Sequence, residues 1–390
     1  MKNCSSLYIH IPFCRSKCSY CDFFSLPTPN KDAVSAPYVL ALKKELEYRC
    51  KMFNPDFWRT VYIGGGTPSL LSAAQLEEIL SFVRESVPGG MAEDCEVTIE
   101  TNPADVTPDF LETIARLGVN RLSVGIQCVS QRVLEFLGRR SDAATVEYAL
   151  DCIKSLWKKE EGRRFSADLI AGLPFLTDDE YLEGIEKILD SGADHVSLYS
   201  LMLEEGTLLW KQVQEGNAPY SDDDIERQWF LGRDRLEKAG IMQYEVSNFA
   251  RPSFESRHNT VYWHMDDFIG IGAGASGTVG NLRWTGVRSV PEYVSGWLAD
   301  GVPQEKELLD SKTQEYEFLM MGFRLRSGIS SAEYRKRFGR ELSERIGAEK
   351  GLFADWEKNG LALRREKDGD TFFALTGDGL MLLNRFLTEL

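Results

Sequence analysis

The chain has 390 residues, 43% apolar and 27% charged, with a formal net charge of −15. That length has room for a large domain and a smaller one, with the composition of an ordinary globular protein. No apolar run approaches the ~18 residues that a membrane span needs, and the acidity argues against broad binding to phosphate backbones.

The first element is a strand over 7–11. Met1-Lys-Asn-Cys-Ser-Ser runs directly into it, so no secretory leader is expected. The loop after it carries Cys14, Cys18 and Cys21, spaced C-x3-C-x2-C. Clustered thiolates favour iron–sulfur or zinc over hard cations. Zinc would need a fourth ligand, for which His10 is the nearby candidate. Three thiolates can instead hold three irons of a cubane and leave the fourth open to the amine and carboxylate of S-adenosylmethionine (SAM). Such a cluster passes one electron to bound SAM, whose cleavage yields methionine and a 5′-deoxyadenosyl radical. So many thiols in one loop imply a reducing compartment, and the cytoplasm is expected. Cys4, Cys50, Cys95, Cys128 and Cys152 stand alone and read as small buried apolar residues.

Five more strand-like runs follow, at 60–63, 96–100, 121–126, 165–170 and 195–201. Helical periodicity lies between them at 38–52, 73–87, 109–117, 144–157 and 178–191. Thr107-Pro108-Asp109 is a helix start, and Gly118 and Gly192 are C-caps. Alternating βα units imply a parallel sheet with right-handed crossovers and function at the C-terminal strand ends. There the polar residues fall. Gly64-Gly-Gly-Thr-Pro68 follows strand two, where Gly65, Gly66 and Thr67 let a ligand approach the backbone. Glu100 ends strand three, Gln127 ends strand four, Arg139 follows it, and Asp168 lies in strand five. A carboxylate suits a sulfonium or ribose, an amide suits a ribose, and an arginine fork suits a carboxylate.

From about 220 to 303 the pattern changes to a polar, aromatic-rich stretch and then Phe268-Ile-Gly-Ile-Gly-Ala-Gly-Ala-Ser-Gly277. From about 311 it reads as three helices, two short strands around Glu366–Asp370 and a final helical run, a small winged-helix-like domain. Residues 310–390 hold 14 Lys+Arg against 14 Asp+Glu, so the whole acidic excess lies in 1–309. The module therefore has no basic footprint, and packing or partner contact is expected of it rather than nucleic-acid binding. The expected domains are 1–220 for the cluster and SAM core, 221–309 for a barrel-completing or linking region, and 310–390 for the C-terminal domain.

The blocks "YIHIPFC…C..C", "GGGTP", "IE.NP", "SVGIQ", "LGR" and "DLI.GLP" resemble the HemN-like branch of the radical SAM superfamily over nearly the whole length. The resemblance implies an α/β fold, a partial (β/α)6 TIM-type barrel with a small, mainly helical C-terminal domain. It implies a [4Fe–4S] cluster on Cys14, Cys18 and Cys21 and SAM in the barrel mouth. Matched block by block, Tyr8, Tyr20, Gly65, Gly66, Thr67, Glu100, Gln127, Arg139 and Asp168 fall where the family contacts SAM, and His10 falls beside the cluster.

Two departures separate this chain from the porphyrinogen-oxidising members. They carry a further cysteine where this chain has Phe23, and an N-terminal extension where only seven residues precede Tyr8. The chain is more similar to a heme-chaperone branch, which shares an H-N-x-x-Y-W element, here His258-Asn-Thr-Val-Tyr-Trp263. That resemblance implies heme as a further cofactor, His258 as its ligand, and transfer of heme to client proteins. Imidazole is a common heme ligand, and Tyr262 and Trp263 offer flat faces to a porphyrin. His264 is a second candidate, and His195 reads as core. The rival activity is oxygen-independent oxidative decarboxylation of coproporphyrinogen III; a nucleic-acid-directed radical enzyme is a third reading, disfavoured by the acidic barrel portion. A homodimer and a transient contact with a membrane surface are compatible with the chaperone reading.

Overall fold

The computed structural model describes residues 4–28, 34–299 and 301–390. The leader expectation rests partly on residues 1–3, which lie outside them. Among the described residues, nine strands form one sheet: β1 Ser6–Ile11, β2 Trp58–Gly65, β3 Met91–Thr101, β4 Arg121–Gln127, β5 Arg164–Ala171, β6 His195–Ser200, β7 Met242–Gln243, β8 Asn248–Ala250 and β9 Ile269–Ile271. Their order is β9-β1-β2-β3-β4-β5-β6-β8-β7. The first six run parallel, β9 adds in parallel to β1, and β8 and β7 add antiparallel beyond β6. The edges β9 and β7 do not pair with each other, so the barrel is partial.

The five expected helices are α1 Ala36–Phe53, α2 Ala73–Glu85, α3 Pro108–Arg116, α4 Ala143–Leu156 and α5 Asp178–Asp190. Their ends obey local chemistry. Thr107 Oγ1 accepts the Phe110 N–H at 3.2 Å, and Ser72 with Gln75 and Thr177 with Glu180 form capping boxes. Gly118 and Gly192 turn the chain at φ +90° and +87°.

Side-chain alternation splits the sheet into two faces. Leu7, Ile9, Val61, Ile63, Leu122 and Val124 are fully buried in the large apolar core. The alternate residues, including Tyr62, Glu100, Ser123 and Asp168, turn into a polar lumen. That polarity is what a ligand site inside a barrel requires.

The stretch from 221 to 309 divides among four tasks. Helix α6, Asp222–Lys238, packs on the barrel's outside, and β7 to β9 extend both edges of the sheet. Helix α7, Arg257–Trp263, closes the floor at the N-terminal strand ends, and three further strands between Ser276 and Leu308 form a small antiparallel sheet. A second hydrophobic core, from Phe318 to Leu387, belongs to the C-terminal helices and the hairpin of Ala362–Lys367 with Asp370–Leu375. The short strand Ile329–Ser330 pairs with that hairpin. Backbone bonding also joins the two units, from Arg326 N–H to Tyr244 C=O at 2.9 Å.

Candidate functional site

The cysteine loop is tied down on several sides. Residues Phe13–Cys14 pair in parallel with Leu26–Pro27. The Ser19 N–H donates to Leu137 C=O at 3.0 Å, and Ser19 C=O accepts from the Leu209 N–H at 2.8 Å. All three thiols are half-buried, free of disulfides, and line one cavity of about 470 Å³ at the C-terminal strand ends. Burial pushes the Cys14 and Cys21 thiols up.

The residues fit a cubane. Thr67 Oγ1 donates to Cys14 Sγ at 3.4 Å, and Arg139 Nη1 donates to Cys18 Sγ at 3.5 Å and to the Tyr20 hydroxyl at 3.4 Å. A Cβ on Gly66 would lie 3.0 Å from Cys14 Sγ and 2.7 Å from Phe13 C=O, so only glycine leaves the thiol its place. No three His, Cys, Asp or Glu side chains among the described residues form a single-ion site; a cubane takes each thiolate at a different iron. His10 offers zinc no fourth ligand. Its nitrogens lie 2.9 Å from the Tyr8 hydroxyl and 3.1 Å from Phe24 C=O.

The strand ends bring the polar residues to the same cavity. Tyr20, Gly65, Gly66, Thr67, Glu100, Gln127, Arg139 and Asp168 all line it. Glu100 accepts from the Tyr62 hydroxyl at 2.7 Å and the Gly65 N–H at 2.9 Å. Burial still pushes its carboxyl up to about 7, against the pull of those two bonds. Asp168 is likewise pushed up to about 6 by burial, with the Ser197 hydroxyl and the Arg121 charge opposing. Gln127 takes φ +70° where the β4–β5 register slips, an uncommon conformation for a non-glycine residue, found where a strand end is re-aimed. Arg139 also donates to Gly125 C=O, so the guanidinium clamps the cysteine loop to strand β4.

Two expected contacts lie elsewhere. Tyr8 is deeper in the lumen, its ring 6.0 Å from Tyr62 and 6.4 Å from His258, and does not line the cavity. His258 is 1% exposed on the floor helix α7. Its nitrogens lie 2.8 Å from Thr60 Oγ1 and 2.7 Å from the Tyr262 hydroxyl, and its N–H donates to Glu96 at 2.9 Å. Burial, with Arg121 behind it, pushes the imidazole down to about 3. Neither nitrogen faces a porphyrin-sized space, so iron could reach it only if α7 left the barrel floor. His195 is also core, bonded to Ser166 and Tyr244. His264 is exposed at the end of α7, where its C=O accepts from Arg337 of the C-terminal unit.

The cavity has further walls that motif reading passed over. Phe23, Ser123, Tyr199 and Met202 all line it. Tyr199 sits inward near the end of β6, where the rim rule would have found it; Ser123 faces inward but lies mid-strand in β4, below the rim. Phe23, noted in the sequence only as a departure from the oxidases, and Met202 lie in loops with no pattern that places them in the cavity wall. The glycine-rich run at 268–277 also serves the site. A Cβ on Gly272 would meet His10 C=O at 2.6 Å and one on Gly274 would meet Phe24 at 2.7 Å, so this run packs closely beneath the cysteine loop.

A partial barrel of parallel strands with a three-cysteine loop after the first defines the radical SAM fold class. The family model for the radical SAM superfamily matches residues 8–201, and that for the HemN C-terminal domain matches 309–382. The coproporphyrinogen III oxidase HemN of Escherichia coli has the same fold, with a TM-score of 0.82 and 21% identity over 99% of this chain and 89% of that one. The heme chaperone HemW of Mycobacterium tuberculosis is 36% identical over 88% of this chain and 86% of its own length. That of Bacillus subtilis is 32% identical over 99% and 100%. The chain belongs to the HemW family.

Proposed function

We propose that this protein is a heme-binding chaperone that carries a [4Fe–4S] cluster and SAM and hands heme to client proteins. The observation that carries the reading is the meeting of Cys14, Cys18 and Cys21 with Glu100 and Asp168 in one cavity, in a chain whose relatives are heme chaperones. When bound, the cluster supplies one-electron reduction of SAM. The chain's own residues hold and orient. Arg139 steadies Cys18 and Tyr20, Gly66 leaves room beside Cys14, and Glu100 and Asp168 offer negative charge to the sulfonium and ribose. No helix among the described residues is long and apolar enough to cross a membrane.

The oxidase reading has the HemN fold in its favour, but Phe23 stands where the oxidases have a further cysteine. Anaerobically reconstituted protein given SAM, reductant and coproporphyrinogen III is expected to form no protoporphyrinogen, while the same preparation given heme develops a Soret band. Steady product formation would replace the chaperone reading with the oxidase one.

The raised carboxyls predict a pH dependence with a defined sign. A carboxylate attracts a cation only when ionised, so SAM affinity should be full above pH 8. It should fall as pH drops through about 7 for Glu100 and then about 6 for Asp168. If ionised Glu100 is required, affinity at pH 5.5 should be about tenfold or more below that at pH 8. Equilibrium dialysis of SAM across that range checks it; a flat profile would remove both carboxylates from SAM recognition.

A further inference from the structure

Two arginines among the described residues are buried to 2% exposure or less, Arg49 and Arg121. Arg49 has the Glu45 carboxylate at 2.7 Å. Arg121 has no such partner: among the described residues its guanidinium forms no hydrogen bond and no ion pair, and its Nε is buried alone. An unpaired buried charge is costly unless something nearby offsets it. Its position on the sheet shows what does. Side-chain alternation turns Arg121 and Ser123 of β4 into the lumen. Strand β4 lies between β3, which carries Glu100, and β5, which carries Asp168. The register sets Ser123 beside Glu100, and its hydroxyl donates to Asp168 at 3.4 Å. Arg121 is the next inward position, about 7 Å further from the rim, a distance its own long arm spans. It does not line the cavity itself.

Two carboxylates in one cavity each disfavour ionisation of the other, and Arg121 opposes that effect at both. The groups facing Glu100 from the surrounding elements, Tyr8, Tyr62, Tyr199 and Tyr262, are all kept neutral by burial. So is His10, beside Gly65. Asp168 is also faced by Arg139, but that guanidinium is engaged by Cys18, Tyr20 and Gly125 C=O. Arg164, registered beside Arg121 on β5, turns to Glu96 and the Phe254 ring. Toward the floor, Arg121 faces Tyr244, His195 and His258, and disfavours a proton on either imidazole. The floor is thus neutral and the cavity anionic, with one cation between them. We propose that Arg121 is a positioning residue, the counter-charge that holds Glu100 and Asp168 negative for the cationic ligand above them without touching it. This rests on the SAM reading above and supplies what lets two carboxylates share the site.

Arg121→Met keeps an unbranched arm and removes the charge. Equilibrium dialysis of SAM, with the full chain and its cluster reconstituted, reads the first effect. The fall in affinity should begin about one pH unit higher than in wild type, so the two proteins differ about tenfold at pH 6 and converge above pH 9. Arg121→Lys should return the midpoint close to wild type. The second effect needs no ligand. Unfolded carboxyls titrate at about 4, so stability falls as pH rises until the folded carboxyls have ionised. In wild type that fall ends just above about 7. In Arg121→Met it should run about one unit further for each carboxyl. Urea unfolding should therefore show a gap that is constant below pH 5.5 and widens to about 100-fold in the unfolding constant by pH 9. Lost packing alone would give parallel stability curves, and parallel curves overturn the proposal whatever SAM does. An unmoved midpoint in protein that binds SAM overturns it equally. If wild type takes up no SAM at any pH, the SAM reading falls, and a gap that still widens leaves the counter-charge in place.

Discussion

Cys18→Ser protein, reconstituted with iron and sulfide, is expected to retain almost no iron and to give no paramagnetic signal after dithionite. The reason is coordination: two thiolates cannot hold a cubane against hydrolysis where three can. Gly66→Ala should approach that result without touching a ligand. Its new Cβ would stand 2.7 Å from Phe13 C=O and 3.0 Å from both Ile11 C=O and Cys14 Sγ, and two of those three atoms are backbone that cannot rotate away. The strand carrying Cys14 must then shift, and loss of support around a metal ligand typically weakens binding about 10–100-fold. Iron analysis beside far-ultraviolet circular dichroism separates the cases. Gly66→Ala should keep its secondary structure while losing iron, and a variant with wild-type iron content would contradict the cradle.

The second large effect is on stability. Glu45 and Arg49 of helix α1 form an ion pair at 2.7 Å with both side chains almost fully buried. Glu45 also accepts from the Gly272 N–H at 2.9 Å and the Tyr293 hydroxyl at 2.7 Å, and the Arg49 guanidinium lies 4.2 Å over the Trp284 ring. The pair therefore joins α1 to the segment that packs under the cysteine loop. Glu45→Ala strands a buried guanidinium and two further donors, so it should cost about 3–5 kcal/mol. Replacing both partners with Met removes the stranded charge and should cost much less. Urea unfolding of the two variants measures the difference. A Glu45→Ala protein within about 1 kcal/mol of wild type would mean that water reaches Arg49.

Much of this architecture was legible beforehand because its parts are long and periodic. The parallel strands and five helices fall within about two residues of the hydrophobic pattern, except that β3 begins at Met91, five residues before the expected start; each strand buries one face and each helix one stripe. The rim rule then gathered Glu100, Gln127, Arg139 and Asp168 around the cysteines. The short strands Met242–Gln243 and Asn248–Ala250 escaped, because two or three residues cannot display an alternation. Depth in the lumen was equally invisible: Tyr8 shares a face with His10, and nothing in the spacing says how far below the rim it stands. The His258 element looked like heme chemistry because imidazole beside aromatic rings has the same composition whether it faces a porphyrin or stoppers a barrel. Only tertiary placement distinguishes them, and it puts His258 under Tyr62, with ring centroids 5.1 Å apart.

The stoppered floor has a kinetic corollary. A well sealed at its base admits and releases its contents from one side, so whatever is deepest must arrive first and depart last. On the proposed reading, a ligand held near the cysteines would have to leave past anything resting over the rim. Turnover of the deep ligand would then be timed by the shallow one, making the barrel a queue rather than a passage.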